Sequence, residues 1–137
     1  MATHMTPAVR RAVVESVKCG VPWVSAALAC GVSSSTISKW RNRGNELRAI
    51  HATAGTFPEE LTTHDYDCVW LADQIESAHA SAVTRLAKMV YRKAVKGNVA
   101  AAQWWLSRRA PESFGSTPTG SQDAAPAVHF YIPENGR

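Results

Sequence analysis

Apolar residues recur at helical spacing along most of this chain, and glycine and proline cut the pattern into pieces. Val9, Val13, Val14 and Val17 share one face of a helix predicted from Pro7 to about Lys18, with Thr6 as its cap. A second stretch, Trp23 to Arg43, reads as two short helices crossing at a tight corner. Gly31 stands at the corner, the small Ala27 lies behind it, and Ala26, Cys30, Val32, Ile37 and Trp40 are the inward positions. Pro22 and Ser33 suit the two helix starts, and Gly44 is expected to end the second helix in the left-handed conformation. This is the spacing of a helix-turn-helix.

Residues 51–62 break the helical pattern and predict a linker. From about Thr63 to Lys96 the pattern resumes, with Leu71, Ile75, Ala78, Ala82, Leu86 and Val90 on one face of a helix about 45 Å long. Gly97-Asn98 stops it, Val99 to Arg109 starts another carrying Trp104 and Trp105, and Pro111 ends that one. The two form a helical hairpin. Adjacent tryptophans point about 100° apart on a helix, so one is expected within the hairpin and the other between subunits. Ser116 to Ala127 is spacer-like, and Val128 to Ile132 is a β-forming run that needs strands from elsewhere to pair with.

The predicted fold class is therefore all-α with a short carboxyl-terminal strand. Its expected domains are a helix-turn-helix domain over 1–50, a linker over 51–62, a hairpin oligomerisation domain over 63–115, a spacer over 116–127 and a tail over 128–137. Leu71, Ile75, Ala82, Leu86, Val90, Trp104 and Trp105 are the candidate oligomerisation residues.

Charge sharpens the picture. The chain of 137 residues has a formal net charge of +4, unevenly placed. Pro7 to Arg48 is mostly basic, Glu59 to Ala80 purely acidic and Ser81 to Arg109 purely basic. Segregation of this kind lets the acidic half of one copy face the basic half of another. The outward face of the second corner helix carries Ser34, Ser35, Ser38, Lys39 and Asn42, short polar groups suited to a major groove. Arg41, Arg43 and Arg48 are candidates for phosphate contact, and Arg10 and Arg11 are further ones. Thr36 in place of Glu leaves the start of that helix without a capping box, so its free N–H groups could meet a phosphate.

Other chemistry is not indicated. Cys19, Cys30 and Cys68 are too widely spaced for a metal set and read as reduced core thiols. His4, His51, His64, His79 and His129 are scattered, no phosphate-cradling glycine loop is present, and no carboxylate cluster has metal spacing. The expectation is a non-enzyme without cofactor or metal. With no membrane-length apolar run and no signal-peptide core, it is expected in a cytosol.

The order of these parts resembles the small terminase subunit of tailed bacteriophages. The helix-turn-helix carries the resemblance together with Gly97-Asn98-Val99-Ala100-Ala101-Ala102-Gln103-Trp104-Trp105-Leu106-Ser107-Arg108-Arg109-Ala110-Pro111-Glu112-Ser113-Phe114-Gly115 and the tail Phe130 to Arg137. The resemblance implies a homo-oligomeric ring of about eight to twelve subunits with closed cyclic symmetry. Such a ring binds the packaging start site on double-stranded viral DNA in the host cytoplasm and hands it to the large terminase subunit, which carries the ATPase and nuclease. Phe130, Tyr131 and Ile132 would then close the ring or bind that large subunit. The alternative is a helix-turn-helix transcriptional regulator binding DNA as a dimer.

Overall fold

A computed structural model describes residues 4–115, all of whose regular elements are helices. They are α1 (Pro7–Lys18), α2 (Trp23–Ala29), α3 (Ser34–Ala54), α4 (Thr63–Val95), α5 (Val99–Arg109) and α6 (Pro111–Phe114). The chain divides into two compact units, one reaching to Met89 and the other from Val90 onward. The expected carboxyl-terminal strand and its residues Phe130, Tyr131 and Ile132 lie outside the described residues.

The helix boundaries follow from local chemistry. Thr6 Oγ1 accepts from Val9 N–H at 3.2 Å to start α1, and Ser33 Oγ accepts from Thr36 N–H at 3.2 Å to start α3. At the corner after α2, Gly31 takes φ +78°, and Val32 N–H reaches back to the Ala27 carbonyl at 2.9 Å. Gly31 N–H reaches Leu28 at 3.0 Å, which completes a six-residue helix closure. A Cβ here would touch nothing, so the demand for glycine is one of backbone conformation alone. Gly20 closes α1 and Gly97 closes α4 with the same pair of bonds.

Val13, Val14 and Val17 of α1 meet Ala26 and Ala27 of α2, Val32 at the corner, and Ile37 and Trp40 of α3 in one core. These are the expected inward positions, with Val9 and Cys30 packed half-buried at the edge. The fourth wall is the first half of α4, through Cys68, Leu71, Ile75 and Ala78. This departs from the expected two domains joined by a linker. About forty residues of α1–α3 bury too little apolar surface alone, and α4 supplies what is missing.

Gly44 departs as well. It does not end α3, which runs on to Ala54 and closes at Gly55 with φ +76°. Gly44 lies inside the helix on the same face as Ile37, Trp40 and Leu47, all buried. A Cβ on it would stand 2.1 Å from the Cys68 carbonyl oxygen and 2.8 Å from the Ala72 Cβ. Glycine is required here because the backbone of α4 crosses α3 directly on top of it. Of the 51–62 linker, residues 51–54 therefore belong to α3.

Of the three thiols only Cys68 is buried; Cys30 is half-buried and Cys19, just past α1, is exposed. Burial pushes the Cys68 thiol up to about 11, so it stays protonated near neutrality. An alkylating thiol reagent at pH 8 is expected to label Cys19 well before Cys68 in the folded protein; equal rates would place Cys68 outside the core. Gly44→Ala is expected to destabilise the fold by about 1–3 kcal/mol through overpacking in urea unfolding. In an open helix the same change stabilises by about 1 kcal/mol, so a stabilised variant would mean the crossing is looser than described.

Candidate nucleic-acid interface

The corner holds α3 by its back. Ile37, Trp40, Gly44 and Leu47 are buried, while Ser34, Ser35, Lys39 and Asn42 are exposed on the other side and Ser38 is half-buried. The polar front is ordered by the cap: Ser33 Oγ donates to Thr36 Oγ1 at 2.8 Å and lies 3.2 Å from Ser35 Oγ. Lys39 stands among these short groups with no carboxylate partner among the described residues. Such a face can donate to and accept from base edges and offers one mobile cation.

Arg41 adjoins it. Its guanidinium lies 4.8 Å from the centre of the Trp23 ring at the start of α2, which stiffens a long side chain without neutralising it. Trp23 is thus a positioning residue that apolar periodicity alone did not single out. Arg11, exposed on α1, is also without an ion pair among the described residues.

The other three candidate phosphate contacts are engaged in ion pairs within the chain. Arg43 donates from Nε to Asp65 Oδ1 at 2.8 Å and approaches Glu46 at 3.7 Å. Arg48 sits between Glu76 at 2.6 Å and Asp73 at 3.5 Å. Arg10 pairs with Asp67 and lies 5.1 Å from the Trp70 ring centre. All four first-half acids of α4 are consumed in this way. The acids of α4 from Asp65 to Glu76 therefore pair with the basic helices of their own chain, and Arg43, Arg48 and Arg10 are committed to these intrachain ion pairs.

Asp65 is the centre of the clamp. Its Oδ2 accepts from Thr62 N–H at 3.0 Å and from Thr62 Oγ1 at 2.8 Å, while Thr62 Oγ1 accepts from Asp65 N–H at 3.1 Å. This is a reciprocal capping box at the start of α4, legible in hindsight as Thr-x-x-Asp. The Arg43 bond and then the Thr62 bonds hold the Asp65 carboxyl down to about 2, and the same pair raises the Arg43 guanidinium further.

The expected oligomerisation residues also separate. Leu71, Ile75 and Ala82 are buried in the chain's own core, because α1–α3 need α4 as a wall, and are not free for a partner. Leu86 is 52% exposed and Val90 half-buried. Trp105 packs on Tyr91 with ring centres 6.1 Å apart and has Arg109 over it at 5.7 Å. Trp104 is 51% exposed, with Arg108 at 5.7 Å, and is the outward member of the pair. His64 lies edge-on to Trp40 and His51 stacks on Phe57, both in structural contacts. Among the described residues no group of three or more His, Cys, Asp or Glu could hold a metal, and no helix is long and apolar enough to cross a membrane.

Because the Asp65 carboxyl is depressed in the folded chain, the stability it supplies is complete above the ordinary carboxylate range near 3.8 and is lost as pH falls through about 2. Asp65→Asn is therefore expected to unfold more readily than wild type at pH 6, the gap closing between about pH 4 and pH 2. A gap that does not depend on pH would show that the charge contributes nothing. No family model matches the chain, and no match was found among curated proteins or solved structures.

Proposed function

We propose that this protein is the DNA-recognition subunit of a viral genome-packaging terminase, acting as a homo-oligomer and without catalytic chemistry of its own. The observation that carries the reading is the two-sidedness of α3. Its back is buried against α1, α2 and α4, and the front of its first half presents Ser34, Ser35, Asn42 and a lysine, Lys39, with no carboxylate partner among the described residues. With α2 and the Gly31 corner it forms a helix-turn-helix whose second helix enters the major groove. Ser34, Ser35, Ser38 and Asn42 meet base edges; Lys39, Arg41 and Arg11 meet phosphates.

The assembly part of the reading rests on the resemblance in the Gly97 to Gly115 segment, and two features of the second unit support it. Trp104 and Phe114 are both more than half exposed there, as are Tyr91, Val95 and Val99, a set of apolar side chains available to a partner. Few long bidentate readers face the groove, so a single domain binds DNA weakly, in the range of about 10⁻⁴ to 10⁻⁶ M. Several domains on one assembly raise that by about two to four orders of magnitude. Recognition then depends on repeated weak contacts and on DNA bendability. The tail with Phe130, Tyr131 and Ile132 is proposed to serve ring closure or the large subunit, and the site of action is the host cytoplasm.

Lys39→Ala and Arg41→Ala are each expected to weaken binding to duplex DNA and to reduce the slope of log affinity against log salt by about 1. Arg43→Ala should instead lower thermal stability and leave the slope nearly unchanged. If Lys39→Ala and Arg41→Ala bind with wild-type affinity and slope, the front of α3 is not a DNA surface. A wild-type protein that binds DNA only as a dimer would favour a transcriptional regulator.

A further inference from the structure

The apolar stripe of α4 outruns its cover. Cys68, Leu71, Ile75, Ala78 and Ala82 are buried, but the next two residues of the same stripe, Leu86 and Met89, are 52% and 53% exposed. The change falls where α1 ends. The Arg85 guanidinium donates to the Lys18 carbonyl at the last turn of α1, and beyond this point nothing in the unit lies over the stripe. Lys18, Cys19, Ala82, Arg85, Leu86 and Met89 line a shallow groove there. Lys18 is paired with Glu15, but Arg85 and the neighbouring Lys88 have no carboxylate partner among the described residues. The exposed stripe is thus apolar with a basic margin.

A second surface in the same unit has the opposite character. Phe57, Tyr66 and Trp70 line a broad depression with His51, Arg48 and Asp73, Tyr66 being half-exposed. Phe57 stacks on His51 and stands edge-on to Tyr66, so the floor is preformed. Asp73 is the one carboxylate in its lining, and it faces the one guanidinium there. Asp73 and Glu76 share the single guanidinium of Arg48, and Glu59 and Glu60 on the adjoining loop have no cationic partner among the described residues. Aromatic faces beside a surplus of carboxylates over cations favour aliphatic side chains flanked by lysine and arginine.

We infer that copies of this chain join head to tail, the Leu86–Met89 end of the α4 stripe on one copy seating on the Phe57–Tyr66–Trp70 surface of the next. The inference rests on the homo-oligomer reading above and names its contact faces. One copy cannot satisfy itself, because Tyr66 and Leu86 are twenty residues apart on one continuous helix, about 30 Å along its axis. Nor does a two-fold pair satisfy both faces. At about 100° per residue, Leu86 lies about 200° around α4 from Tyr66, and Met89 about 160° around from Asp73, so the two faces are on opposite sides of the helix. A dimer axis brings one side of α4 to its partner and leaves the other in water. Opposite faces that are complementary to each other rather than to themselves make a heterologous contact, which propagates until it closes into a ring.

The test uses full-length chains that each lose one face. Leu86→Ser/Met89→Ser removes the apolar contact from the donor face, and Glu60→Lys/Tyr66→Lys makes the acceptor face basic. All four side chains are exposed. Far-UV circular dichroism and thermal unfolding confirm the fold. By native mass spectrometry the wild type is expected as an assembly larger than a dimer, while each variant alone self-associates at least about tenfold more weakly. Mixed, the two variants share one intact donor and one intact acceptor and should form a one-to-one heterodimer that grows no further. Wild-type-like assembly by either variant, or no heterodimer in the mixture, overturns the head-to-tail faces while leaving a homo-oligomer standing. A wild type that stops at a dimer overturns the heterologous contact, and a monomeric wild type overturns both the faces and the homo-oligomer.

Discussion

Helices α3 and α4 cross with their backbones in contact at Gly44, and the rest of the first unit depends on that crossing. Helices usually keep 8–10 Å between axes because side chains fill the gap. Here the missing Cβ lets the Cys68 carbonyl sit where a methyl group would be. The close approach brings Leu71, Ile75 and Ala78 down onto α1 and the back of α3, turning three short helices into a four-walled core. A mid-helix glycine costs about 1 kcal/mol in propensity, a small sum beside the burial of several aliphatic side chains at about 1.5–3 kcal/mol each. The Asp65 capping box and its bond to Arg43 fix the entry of α4 one turn before the crossing, so position and angle are set by neighbouring groups.

The same crossing sorts the charges. An acidic half-helix laid across basic helices pairs with whichever guanidiniums it can reach, and Arg10, Arg43 and Arg48 are the ones within reach. Partly exposed pairs of this kind contribute little each to stability, but they remove three cations from the outer field. Of the cations on α1–α3, Arg11, Lys39 and Arg41 on its Trp23 platform are the ones left without a carboxylate among the described residues. The division between structural and available cations is therefore a consequence of how α4 packs.

Much of this was legible in the sequence, and the misreadings have specific causes. The inward faces of α1 and of the corner follow from helical period and from Gly31, because local spacing decides them. Gly44 is ambiguous in sequence because glycine signals both a helix stop and a close approach. Its place in the stripe of Ile37, Trp40 and Leu47 distinguishes the two, since a stop need not face inward. The intrachain pairs within the acidic block are hidden because the arginine partners of Asp65 and Asp67 are 22 and 57 residues away in sequence, beyond any local pattern. Thr62-x-x-Asp65, by contrast, is a local signal for the start of α4. Cys19 reads as a core thiol with the other two cysteines, yet the helix ends at Lys18 and leaves the thiol outside.

Where α1 stops decides where core becomes surface. The stripe on α4 is continuous in the sequence, and nothing in its composition changes between Ala82 and Leu86 that would tell a buried apolar residue from an exposed one. The difference lies in the opposite wall: the Gly20 closure turns the chain away, and Arg85 binds the last carbonyl of α1 at that point. A helix extended past its cover keeps its apolar period only at a cost in exposed surface, which the basic margin of Arg85 and Lys88 lowers in water and turns into selectivity for an acidic face. One glycine closure on α1 thus converts the end of an intrachain core into a surface with a defined chemical preference. The opposite side of the same helix, between α3 and the start of α4, carries the complementary preference.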